Sequence, residues 1–287
     1  MLKALRSSPR VLRPVLGLTN PSLLQTRFSG SDSSDGPGSE CVPAVEETQS
    51  KSAAPVAATV MRVPLEIAKV LALPLAHKPL FPGSYIPTYV KDAKLLAALS
   101  ENLKGEVPYV GAFLVKADPR SELSGLNIEK KIYEFKGKDL FNRLHEVGTL
   151  AQIIAIQGDE VVLMGHKRLR ITEMVSEDPL MVKVDHLKNS AYNMDDDVIK
   201  ATYFEVVKIL KDVMKTHPSW RDLVEHIGDL NYPRVADFAA TVSFLDKLQC
   251  QQVLEELDVY KRLILSLDLL EKEMGIYKIH ASSDDFF

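Results

Sequence analysis

Seven histidines, His77, His145, His166, His186, His217, His226 and His280, are the side chains best suited to bind a metal or carry a proton. No two of them stand in the H-E-x-x-H spacing that would put a pair of imidazoles on one helix face with a glutamate base between them. Without a partner at working distance, each reads as a boundary or surface residue rather than an acid–base group. The two cysteines, Cys41 and Cys250, fall in a polar tract and in a helical pattern respectively. Neither a disulfide framework nor a zinc site can be built from them, and a reducing compartment fits. A phosphate-cradling loop needs G-x-x-x-x-G-K-[ST], but Gly137-Lys138 lacks the first glycine and is followed by Asp139. "IIAIQGDE" ends an apolar run on acid, as a magnesium-holding strand does. Its Gln157-Gly158-Asp159 triplet lies between two apolar runs, however, which is turn chemistry. No G-x-S-x-G elbow is present. Asp195, Asp196 and Asp197 sit where a helix begins and serve its positive end more simply than they serve a cation. Glu255 and Glu256 read as the wet face of a helix. The one basic cluster, "HKRLR" from His166 to Arg170, reads as a strand with structural arginine contacts, in which alternation aims Lys167 and Leu169 one way and Arg168 and Arg170 the other. No active site emerges, and neither cofactor nor metal is expected.

The elements around these residues change character once along the chain. "KVLALPLAHKPLFPGSYIPTYV" is apolar and interrupted by Pro74, Pro79, Pro82 and Pro87, so it predicts a strand followed by a proline-fixed loop. "KDAKLLAALSENLKG" predicts a short helix with Leu95, Leu96 and Leu99 on one side and Gly105 as its stop. "PYVGAFLVK" is a strand, and "ADPRSELSGLNIEKKIYEFKGK" a charged mobile loop. "EVGTLAQIIAIQGDEVVLMGHKRLRITEMV" predicts strand, turn, strand, a bend at Gly165 and a third strand. "PLMVKVDHL" follows with Leu180, Val182 and Val184 alternating against polar residues. After Asn189 the period becomes helical. Ile199, Tyr203, Val206, Leu210 and Val213 form one stripe, three short helices follow, and a last helix starts at Asp258 with Val259, Leu263, Leu267, Leu270 and Met274 inward. Strands followed by helices, without alternation, define an α+β chain: a small β-barrel or curled-sheet subdomain over 67–190 and a helical bundle over 191–280, with a polar tail at 281–287.

The first residues stand apart. Residues 1–28 carry Lys3, Arg6, Arg10, Arg13 and Arg27 among leucines and serines, with no acid before Asp32. This is the composition of an organelle transit peptide, with a processing site at Arg27-Phe28-Ser29. A mitochondrial matrix destination is expected, with chloroplast or dual import left open. Residues 29–66 are Ser, Gly, Pro, Ala and Glu and read as a disordered linker. The 287 residues carry a formal net charge of −4, which gives no basic excess for nucleic acid. No apolar run approaches the roughly 18 residues of a membrane-spanning helix, so neither partner is expected.

Five landmarks in order, "LALPLAHKPLFPGSYIP", "PYVGAFLVK", "RLHEVGTLAQI", "GHKRLRITEMV" and "QQVLEELDVYKRLILSLDLLEKEM", resemble the N-terminal domain of the ATP-dependent Lon proteases from about residue 69 to 279. The wording is closest to plant mitochondrial Lon. The resemblance implies a PUA-like β subdomain joined to a helical one, with a role in recognising and holding unfolded substrates and in supporting the hexameric ring. In that family the last helix runs on into an AAA+ ATPase domain and a Ser-Lys protease domain, whose motifs find no positions here. "THPSWRDLVEHIGDL" is shorter than the family's usual stretch, Phe244 and Leu245 replace small and polar residues, and "KIYEFKGKDLF" drifts.

The expected function is therefore that of a non-catalytic Lon N-domain protein. Its partners would be unfolded or damaged polypeptides or full-length Lon subunits, in mitochondrial protein quality control. Leu80, Phe81, Tyr85 and Ile86 are the candidate contact residues, with ordinary core and proline-loop packing as the stronger competing use. Two further readings stay open. The chain is a truncated product or gene-model fragment of a whole ATP-dependent serine protease, or a PUA-like module for a small molecule or RNA, the latter by analogy of fold alone.

Overall fold

Strand Lys69–Leu75 (β1) organises the first half of the molecule. Six consecutive residues of it, Val70 to Leu75, are buried, as in a strand covered on both faces. It pairs in parallel with Tyr109–Leu114 (β3), numbered after Tyr85–Tyr89 (β2), and antiparallel with Leu180–His186 (β6). Val147–Gln157 (β4) and the 18-residue Glu160–Glu177 (β5) complete the sheet. The strand order is β2-β5-β4-β3-β1-β6, and β5 also pairs with β6. The result is a curled mixed sheet, not a closed barrel. Its long strand β5 pairs with β2 at one end and with β6 at the other, and register shifts along it add to the curl. This computed structural model describes residues 67–105, 107–116, 132–216, 218–243 and 246–284. The transit peptide, the linker and most of the charged loop predicted after Lys116 lie outside the described residues.

Each face of the sheet is covered. Helix Ala93–Lys104 (α1) is capped by Asp92, whose carboxylate accepts from the Lys94 and Leu95 N–H groups at 2.8 and 3.0 Å, and it stops at Gly105. Its Leu95 and Leu99 pack on Leu71, Leu73, Leu75 and Leu163. On the other face Val70, Ala72, Phe113, Leu150 and Leu169 pack with Leu140 of helix Gly137–Arg143 (α2).

The second half is helical: Asp197–Thr216 (α3), a 3₁₀ segment Pro218–Asp229, Tyr232–Val242 (α4), Lys247–Glu255 (α5) and Val259–Asp284 (α6). The stripe predicted on α3 is the one that packs. Tyr203, Val206, Leu210 and Val213 are buried with Leu263 and Leu270 of α6, and Ile199 lies against them. The helix α6 begins at its predicted cap, where Asp258 accepts from the Lys261 N–H at 3.1 Å, and it runs through the first residues of the expected polar tail to Asp284. Sheet and bundle belong to one compact unit. Phe81 and Val147 meet Ala240, Cys250, Val253, Leu254 and Leu269 along the seam between them.

Three local expectations are corrected. Residue Gly165 is not a bend between strands, because β5 runs through it. Its hydrogen lets the proline loop close in. The Gly83 N–H donates to the Gly165 carbonyl at 2.8 Å, the Gly165 N–H donates to Ser84 at 2.9 Å, and a Cβ would collide with the Phe81 carbonyl oxygen. The stretch "YIPTY" is an edge strand rather than loop, with Pro87 opposite Val162. The hydrogen bonds Gly165 N–H to Ser84 and Val90 N–H to Asp159 (2.7 Å) set the alternation that turns Pro87 away from β5, where its missing N–H costs no ladder bond. The helix α2 went unrecognised because Lys136 to Arg143 offers only seven helical residues and no side-chain cap.

Candidate functional site

Functional side chains could gather at the sheet–bundle seam, at the proline-rich edge or on the outer face of the bundle. The seam holds the most concentrated charge. Arg168 of β5 is buried. Its Nη1 and Nη2 donate to the two Asp237 carboxylate oxygens on α4 at 3.0 and 2.5 Å, and its Nε donates to the Leu254 carbonyl at 2.8 Å. Arg262 of α6, also buried, donates through Nε to the Glu256 carbonyl at 2.7 Å and through Nη2 to Asn189 at 2.8 Å, with Nη1 3.6 Å from the same Asp237. Burial brings the Arg262 guanidinium down to about 10, opposed by the Asp237 charge, so it stays a cation at neutral pH. Lys78 from the proline loop donates to the Thr241 and Ser243 carbonyls at the end of α4, each at 2.5 Å. Burial lowers its pKa. These groups face protein partners and close the seam. The basic cluster at 166–170 thus supplies a structural arginine, as its composition predicts. Regular pairing keeps Arg168 and Arg170 on one side of β5, but the bundle covers Arg168 and leaves Arg170 exposed.

Asp196 accepts from the Val198 and Ile199 N–H groups at 2.9 and 3.2 Å, and Asp195 pairs with Lys200 at 3.2 Å. The acid run therefore caps α3, and no metal-holding cluster exists among the described residues. His145 Nδ1 lies 3.3 Å from Glu255 on α5, so that glutamate is a cross-seam partner rather than only a wet residue. No helix among the described residues is long and apolar enough to cross a membrane.

The four candidate contact residues divide. Leu80 is 2% exposed and Phe81 0%. The Leu80 carbonyl accepts from Thr149 at 2.5 Å and the Phe81 ring fills the seam, so both side chains pack in the core. Ile86 leans on the cluster beneath α1. Tyr85 is 41% exposed and shares its outward face with Pro87 and Tyr89. Tyr133 donates to the Tyr89 carbonyl at 2.7 Å, which fills part of the free edge.

Sequence reasoning missed a larger apolar surface on the bundle. Phe204, Val198 and Met194 are 64%, 58% and 57% exposed. Val198, Ala201 and Phe204 fall at i, i+3 and i+6, a ridge along the solvent face of α3. The available signal was that Val198 and Phe204 are large apolar residues off the buried stripe of an amphipathic helix.

A curled mixed sheet followed by a helical bundle is a fold this chain shares with a solved Lon N-terminal domain. The solved N-terminal domain of the Mycobacterium avium complex Lon protease overlays with a TM-score of 0.53, covering 71% of this chain and 98% of that one at 22% identity, a likeness of fold. A family model described as the ATP-dependent protease La (LON) substrate-binding domain matches residues 69–272, and the chain belongs to that family. It is 58% identical over 239 residues to Lon protease homolog 1, mitochondrial, of Arabidopsis thaliana, covering 82% of this chain and 25% of the relative. It is 53% identical to the mitochondrial Lon protease homolog of Oryza sativa subsp. indica, covering 88% and 26%. It is 56% identical to Lon protease homolog 4, chloroplastic/mitochondrial, of Arabidopsis thaliana, covering 74% and 24%. The chain thus spans about a quarter of the length of these relatives.

Proposed function

We propose that this chain is a non-catalytic holding module that binds unfolded or damaged polypeptide in the mitochondrial matrix and engages Lon-type subunits there. The observation that carries the reading is the substrate-binding family match over 69–272, joined to large apolar side chains standing in solvent on α3. The basic, acid-poor residues 1–28 and relatives named mitochondrial support the location. The chloroplastic/mitochondrial relative keeps dual import as its variant. Binding needs no nucleotide in this reading, because burial of apolar surface drives it. The test is fluorescence anisotropy of a labelled, permanently unfolded protein, reduced and carboxymethylated, against the 287-residue chain without ATP. Saturable binding in the micromolar range is expected, and no binding at tens of micromolar overturns the proposal.

The second reading, a piece of an ATP-dependent protease, is favoured by the quarter-length coverage of the relatives. An immunoblot of isolated mitochondria with an antibody against residues 61–190 separates the two. A band at the size of the processed 287-residue chain supports the free module. Only a band several-fold larger assigns the function to the longer protease.

A further inference from the structure

We draw no further inference here: the strongest candidate, the apolar face of Val198, Ala201 and Phe204 on the solvent side of α3, has acids Asp195 and Glu205 that already pair with Lys200 and Lys208, and nothing in the structure shows what covers it.

Discussion

Arg168 and Asp237 face each other across the seam as a two-pronged pair, 3.0 and 2.5 Å between their charged atoms, with both side chains almost fully buried. The second guanidinium, Arg262, lies 3.6 Å from the same carboxylate. One acid thus joins strand β5, helix α4 and helix α6. Taking charge out of water is costly, so such a cluster fixes how sheet and bundle meet more than it adds to stability.

Asp237→Ala leaves two buried cations without their anion. Urea unfolding monitored by far-UV circular dichroism should show a loss of about 3–5 kcal/mol, the usual cost of breaking a buried pair by removing one partner. A loss below about 1 kcal/mol would mean that water already reaches the seam.

Gly165 and Gly158 should respond to alanine for different reasons. At Gly165 the new methyl meets backbone, the Phe81 carbonyl, and nothing flexible is there to yield, so about 2 kcal/mol or more should be lost. At Gly158 there is open space, but φ is +63°, and about 1–2 kcal/mol of backbone strain is expected. Thermal unfolding of both variants ranks them, and the reverse order would place the proline loop elsewhere than against β5.

Lys78→Met keeps the apolar stem and removes the amine that serves the Thr241 and Ser243 carbonyls at the end of α4. Loss of the lysine's two buried hydrogen bonds should cost about 1–3 kcal/mol. A stability gain would show that the burial which lowers the lysine's pKa outweighs its hydrogen bonds.

Glu255 carries a pH dependence. The hydrogen bond with His145, chiefly, holds its carboxyl below the usual 4.5, against burial, which raises it. A carboxyl whose folded pKa is depressed adds stability above its unfolded pKa, and that stability is lost as pH falls through the lower, folded value. The seam should therefore weaken on acidification below about 4.5. Glu255→Gln should flatten the acid limb of stability measured between pH 6 and 3, and an unchanged limb would assign it to other carboxylates.

Much of the fold could be read from local pattern. The α3 stripe, the Asp258 cap, the Gly105 stop and the Gly158 turn each depend on residues within a few positions of one another, so spacing alone identifies them. The edge strand β2 was hidden because Pro87 argues against a strand. Only its outward position on the last strand of the sheet removes that objection. The placement of the four candidate residues was half legible. Leu80, Phe81, Tyr85 and Ile86 flank the Pro82-Gly83-Ser84 turn as two apolar pairs, but alternation and the closing of the proline loop onto Gly165 send the first two inward and leave Tyr85 outside.

The sequence by itself determined the α+β order, the helical stripe that packs, the Asp258 cap and the family, because each is written in short-range periodicity or in ordered landmarks. Only the tertiary structure decided where Arg168 points. Lys167 pairs with Leu150 while Gly165 pairs with Ala151, so the register slips by one residue around His166. Past that slip the register is regular. Arg168 and Leu169 are buried in succession because both faces of β5 are covered there, the Arg168 side by the bundle and the Leu169 side by the cluster around Phe113 and Leu150, while Arg170 stays outside. The acid that receives Arg168 is 69 positions away on another element. The same holds for Phe204: its type is apolar, and its exposure follows from which face of α3 the bundle covers. No local pattern carries that information, because it depends on the packing of elements distant in the chain.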